Sequence, residues 1–288
     1  MAVFLGKFDA GSPEWLALRA GANVSGTLVG TVNGLNPWES AFTAWAKATG
    51  RIPDEVKQTL RMRAGQLLEP VAKQLWLEQN PGFELDGDVG TWAHPQFEWA
   101  VANPDGFLLW PDGKSGILEV KTTTRPYDEL PLHYRAQVLW YMWVMNMIEK
   151  PAKVVVLVAG SDLQEFDVEW DNFEFEALLA GVKRWREAVL GDGRPDWDGS
   201  ESTFATVKKL NDGIADTTED LGELGVHLSN AQAKFDEAES FLRELKSRTL
   251  DAMGDAKYGV AYGVTVAVRS VNKNGVVSLT IKKGSKGE

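Results

Sequence analysis

Apolar and polar positions change period along this chain, and the changes predict a succession of helices and strands. Ser12 to Gly21 reads as a short helix, with Ser12 as N-cap, Pro13 at the first position and Glu14 in the first turn. Pro37 to Thr49 repeats the pattern, with Asn36 as cap and Gly50 as stop. A third helix is expected from about Asp54 to Gln79, bent at Pro70 and ending before Asn80-Pro81-Gly82. Strand signals follow. Phe97, Trp99 and Val101 alternate with polar or small residues, and Phe107 to Trp110 leads through Pro111-Asp112-Gly113 into a returning strand, Ile117 to Thr122. An apolar helix from Leu132 to Ile148, strands at Lys153–Ala159 and Gln164–Trp170, and a helix at Phe173–Leu190 complete the series. Strands bracketed by helices predict a mixed α/β (α+β) layer architecture.

The pattern changes after Gly191-Asp192-Gly193-Arg194-Pro195. Two regions are expected, 1–195 and 196–288. In the second, Leu221, Leu224, Leu228, Ala231, Phe235, Ala238, Leu242 and Leu245 recur at alternating steps of three and four, the a/d positions of a heptad. A β-hairpin is expected beyond, Val260–Arg269 and Val276–Ile281, around the Asn274-Gly275 turn. The plain reading is a long helix packed on its own hairpin or core. The alternative is self-association or a partner surface.

Composition narrows the chemistry. The 288 residues contain no cysteine, which excludes disulfides, thiolate catalysis, zinc–thiolate sites and iron–sulfur clusters. With three histidines, His94, His133 and His227, a metal would be held mainly by carboxylates and carbonyls, the ligands of hard cations. No apolar run has membrane-spanning length and the N-terminus lacks a secretory pattern, so a soluble cytoplasmic protein is expected. The formal net charge of −11 counts against broad nucleic-acid binding, although phosphate contact needs only a local basic lining.

On a strand from Ile117 to Lys121, Glu119 and Lys121 point one way while Leu118 and Val120 enter the opposite layer. Asp105 can approach Glu119 as the hairpin folds back, and neighbouring carboxylates repel unless a cation or proton joins them. Asp105, Glu119 and the Val120 carbonyl would supply oxygen ligands to a divalent metal, with Lys121 beside the attacking water. The plainer alternative is an exposed Glu–Lys pair and a turn aspartate.

Asn103-Pro104-Asp105-Gly106, Glu119-Val120-Lys121 and Gln137-x-x-x-Tyr141 together resemble the PD-(D/E)xK nuclease superfamily. Within it they are most similar to the YqaJ-type viral recombinase group that includes phage lambda exonuclease. Trp15-x-x-x-Arg19, Val24-Ser25-Gly26, Gly65-x-x-x-Glu69-Pro70 and His94-Pro95 fall in the same order, so the resemblance spans roughly Ser12 to Trp170. It implies a restriction-endonuclease-like core with a central mixed sheet. It makes Asp105, Glu119, Lys121 and Gln137 catalytic, adds Glu69 to the metal site, and gives Arg19 and Ser25 the 5′-phosphate of a DNA end. Ser25 fits only with a one-residue shift from the family's usual Thr-Ala-Ser run.

The implied activity is magnesium-dependent 5′–3′ digestion of linear duplex DNA, with manganese as substitute. It would leave 3′ single strands for an annealing protein, and a homo-oligomeric ring (a trimer) would be in keeping. An endonuclease of the same superfamily and a non-catalytic DNA-end-binding assembly protein stand as alternatives. Lys57, Arg61, Arg63 and Lys73 are candidates to line a DNA channel, or else a solvated face.

Overall fold

The computed structural model describes residues 1–9, 11–54, 58–87 and 89–282. Lys57 lies outside them. In chain order the first unit contains β1 (Val3–Gly6), α1 (Pro13–Ala17), β2 (Val24–Ser25), α2 (Gly26–Val32), α3 (Ala41–Ala48), α4 (Leu60–Gln79), β3 (Glu84–Asp86), β4 (Thr91–Ala93) and β5 (Ala100–Ala102). It continues with β6 (Gly106–Leu109), β7 (Ser115–Thr123), α5 (Leu132–Met145), β8 (Ala152–Val158), β9 (Asp162–Val168), α6 (Asn172–Leu190) and α7 (Glu201–Leu210). The second unit holds α8 (Glu223–Met253), β10 (Tyr258–Ala261), β11 (Val264–Val271) and β12 (Val277–Ile281).

A mixed five-stranded sheet in the order β3-β6-β7-β8-β9 forms the centre. Only β7 and β8 run parallel, with Glu119 opposite Val154 and Lys121 opposite Val156. A parallel pair needs a crossover, and α5 supplies it. Alternation sorts side chains onto the two faces. Leu118, Val120, Val155 and Leu157 meet Ala72 and Trp76 of α4 on one side. Ile117, Val154 and Val156 meet α2, α3, α5 and α6 in the larger core on the other. A smaller sheet has the order β1-β4-β5-β2, and Asn103-Pro104-Asp105 links β5 directly to β6 of the central sheet.

Several boundaries differ from the sequence reading, each for a local reason. The first helix keeps its Ser12 cap (Trp15 N–H to Ser12 Oγ, 3.2 Å) but ends at Ala17. Asn36 does not cap the next helix. Its Oδ1 accepts from Trp38 N–H at 3.0 Å in a turn, and Ser40 caps α3 by accepting from Thr43 N–H at 3.1 Å. Gly50 does stop α3, at φ 68°. Thr59 caps α4, which therefore begins at Leu60, and Pro70 sits inside it.

Helix α2 escapes sequence patterning because Gly-Thr-Leu-Val-Gly-Thr-Val is poor in helix formers. Packing forms it. Gly26 and Gly30 share one face, and a β-carbon at Gly26 would sit 2.4 Å from the Tyr141 ring, one at Gly30 2.9 Å from His133 Cβ. The two bare positions let α2 lie directly on α5.

The division between units falls between Ile214 and Ala215, not at the Pro195 loop. Helix α7 belongs to the first unit because its hydroxyls interlock with those of α3. Thr43 Oγ1 lies 2.8 Å from both Ser202 Oγ and Thr206 Oγ1, and Thr203 Oγ1 donates to Ser40 Oγ at 2.8 Å. In the second unit the expected hairpin is a three-stranded antiparallel meander, since Tyr262 and Gly263 take positive φ and break Val260–Arg269 into β10 and β11. The Asn274-Gly275 turn is where expected. The long helix is not packed on a core: no residue of α8 is buried.

Thr43→Val keeps the shape at the α3–α7 contact but strands its partner hydroxyls. It is expected to cost about 1–3 kcal/mol, read as a lower urea midpoint at unchanged m-value. An unchanged midpoint would mean α7 does not brace the first unit.

Candidate active site

Strand β7 carries its two charged residues on the α5 side, as alternation requires. Glu119 is 2% exposed in the middle of the sheet. Its Oε1 accepts from Lys121 Nζ at 2.5 Å and from Gln137 Nε2 at 2.6 Å. Gln137 also donates to the Tyr141 hydroxyl at 2.9 Å and accepts from Lys121 Nζ at 3.2 Å through its Oε1. The amide of this buried glutamine is thus satisfied by side chains of the site, not by backbone. Glu119 Oε2 is buried and has no protein hydrogen-bond partner.

Asp105 arrives from the other side of the β6–β7 ladder. Gly106 pairs with Leu118, a register that carries Asp105 toward Glu119, and the next residue, Val120, donates its N–H to Asp105 Oδ2 at 2.7 Å. Gly106 lets β6 lie close on β3, where a β-carbon would come within 2.5 Å of Leu85 Cδ1 and 3.3 Å of the Asp86 carbonyl.

Burial raises the Asp105 carboxyl well above the usual range, and the charges of Glu119 and Glu69 push it further. Glu119 is also raised, chiefly by burial, with Lys121 opposing. Burial alone would lower the Lys121 ammonium, but Glu119 and Asp105 outweigh it and the net shift is upward. Lys121 also lies 4.7 Å from the centre of the Tyr134 ring, a contact that sequence spacing did not assign. A buried carboxylate and a half-buried one therefore share one ammonium, and one oxygen of Glu119 lacks a protein partner. This donor set suits a hard divalent cation whose remaining ligands are water or phosphate oxygens.

Glu69, on α4, feels the same cluster and lines an open cleft of about 390 Å³ with Asp105, Asn103, Trp15 and Lys7. Its carboxylate is turned to Lys73, at 2.5 Å, and Lys73 also donates to the Gly87 carbonyl at 3.2 Å. Among the described residues no three carboxylate or imidazole side chains converge closely enough to hold an ion by themselves. Lys73 is buried and committed to Glu69, which removes it from the expected basic channel. Arg61 and Arg63 are exposed at the start of α4.

Arg19 and Ser25 are brought together: Arg19 Nη2 donates to Ser25 Oγ at 2.8 Å and to Thr27 Oγ1 at 3.4 Å. The guanidinium stacks 4.0 Å over Trp15. Burial lowers its pKa, and the neighbouring Tyr141 works against that shift. Among the described residues it meets hydroxyls and an aromatic face, with no carboxylate neutralising it. Gly26 presses on Tyr141 and Gln137, so the Arg19–Ser25 corner and the Glu119 cluster are adjoining parts of one site. Tyr141 joins the two. Its Gln-x-x-x-Tyr spacing was the available signal, and its role as link was not read from it.

Residues 14–148 match the model of the YqaJ-like viral recombinase domain. Over 259 residues, taking in 85% of this chain and 79% of the relative, the sequence is 28% identical to the uncharacterized protein YqaJ of Bacillus subtilis (strain 168). The fold is similar to the crystal structure of an alkaline exonuclease (LHK-Exo) from Laribacter hongkongensis. The TM-score is 0.51 at 18% identity, over 63% of this chain and 94% of that one. The likeness includes nearly all of that enzyme, and it is one of fold.

Raised carboxyls bind protons in the native state that the unfolded chain releases. The stability they contribute is present below their unfolded values and is lost as pH rises through the folded ones. Without divalent cations, Asp105→Asn is expected to be more stable than the parent at pH 7–8, with the gap closing as pH falls. Magnesium at a hundred times its Kd would add about 2.7 kcal/mol to the parent and little to the variant. Equal magnesium responses in urea titrations would remove Asp105 from the ligand set.

Proposed function

We propose that this protein is a metal-dependent exonuclease that digests linear double-stranded DNA from 5′ ends. The observation that carries the reading is the Asp105–Glu119–Lys121–Gln137 cluster, built around a buried Glu119 whose Oε2 is unpartnered. The YqaJ-like domain and the likeness to an alkaline exonuclease support it.

Asp105, Glu119 and the Val120 carbonyl would hold magnesium, or manganese in its place, with Glu69 a further acid at the rim of the site. The cation would neutralise charge on the phosphodiester and lower the pKa of the attacking water. Lys121, an ammonium at neutral pH, donates toward the reacting oxygens and stabilises the negative charge that develops there. Gln137 positions it by accepting from Nζ while clamping Glu119 Oε1. Arg19 has the fork geometry that a terminal phosphate takes in bidentate fashion, and its present partners are hydroxyls that a phosphate can displace or share. Ser25 holds the guanidinium in place. The 3′ single strand left behind would pass to a single-strand annealing protein.

With magnesium, 5′-phosphorylated linear duplex is expected to be degraded faster than dephosphorylated duplex, and closed circles spared. Lys121→Ala and Glu119→Ala should each lose about 100- to 1,000-fold in kcat. Equal rates for parent and variants would remove the cluster from the chemistry, and rapid cutting of the circle would favour an endonuclease. Arg19→Ala should abolish the preference for a 5′-phosphate, a loss of roughly 10- to 100-fold on the phosphorylated end, as expected for one charge-assisted contact. A preference that survives would assign the phosphate elsewhere.

A further inference from the structure

Helix α8 carries an apolar stripe along its length, yet none of its 31 residues is buried. At a rise of 1.5 Å per residue it is about 46 Å long. Phe235 is 64% exposed and Leu228 equally so, and a contiguous apolar stripe left in solvent marks a surface of interaction. The C-terminal end of the helix touches its own sheet, where Met253 meets Gly259.

We propose that the cover is the α8 helix of a second copy of this chain, packed antiparallel. The order of large and small residues in the stripe carries the argument. With Phe235 at an a position, Leu228 and Leu242 are also a, while Ala231, Ala238 and Leu245 are d. A parallel pair sets each layer against itself: alanine faces alanine, and phenylalanine faces phenylalanine. Thin layers then alternate with a bulky one. An antiparallel pair sets a against d. In the register centred between residues 236 and 237, Phe235 faces Ala238 of the second copy, Leu242 faces Ala231, and Leu228 faces Leu245. Every alanine then meets a large side chain, and the layer volumes even out, as close packing demands. The same sequence supplies both halves, which is the requirement for a two-fold interface.

The flanks agree. In this register Lys234 lies beside Phe241 of the second copy, where its stem packs on the ring with the ammonium in water. Gln232 comes to Glu239. Parallel pairing would gain an exposed Lys234–Glu239 ion pair, a weak recompense for uneven layers.

The chain has no cysteine, so introduced ones report without background. In the full-length protein, Leu228→Cys and Leu245→Cys should each fail to crosslink alone under mild oxidation, because like positions lie about 25 Å apart along the axis. An equal mixture of the two should give a disulfide-linked pair. Phe235→Asp should at least halve the mass seen by sedimentation, with the melting of the first unit unchanged. Equal masses for parent and Phe235→Asp, as for a helix covered by its own chain or by another protein, would overturn the proposal. Crosslinking of Leu228→Cys to itself would overturn the antiparallel register.

Discussion

The site depends on one electrostatic constraint: a buried Glu119 and a half-buried Asp105 lie within reach of each other, with Lys121 as their shared counter-charge. Desolvated carboxylates in this arrangement are costly. The chain tolerates the cost because both are fixed by main-chain pairing. The β6–β7 register delivers Asp105 to the Val120 N–H, and strand alternation delivers Glu119 to the α5 side. Substitutions that keep the sheet but not its register would separate the two acids. The flanking helices add specific restraints, Gln137 from α5 on Glu119 and Lys73 from α4 on Glu69.

Much of this was legible from residue order because it rests on period-two alternation. Leu118 and Val120 against Glu119 and Lys121 is a local pattern, and it survives in the fold unchanged. The β7–α5–β8 unit and the α6 helix were equally visible, since their apolar runs are long. What was hidden depends on contact between distant segments. Helix α2 has a sequence that disfavours helix and forms because two glycines fit against Tyr141 and His133. Helix α7 looked like the beginning of a tail, and its hydroxyls found their partners only across the fold, on α3. The commitment of Lys73 to Glu69 also follows from burial, which a cluster of basic residues in a sequence does not disclose.

The two units show how differently apolar residues can be used. In the first, the large core sits on one face of the sheet and a smaller one on the other, so strand β7 is packed from both sides. In the second, the apolar residues are strung along one helix and a small meander. Such a surface is suited to meeting another surface more than to closing on itself.

The crossover role of α5 has a consequence for how the protein comes into being. Asp105 and Glu119 sit on neighbouring hairpin strands and can meet early, but Gln137 is on the helix that must swing across before β8 joins β7. Parallel pairing of this kind is slow to form, because a long loop closes before contact repays it. The clamp on Glu119 and Lys121 is therefore among the last features to assemble. A half-folded chain would hold its acids without the amide that orders them, because the Gln137 contacts to Glu119 and Lys121 close only when α5 has docked on the sheet.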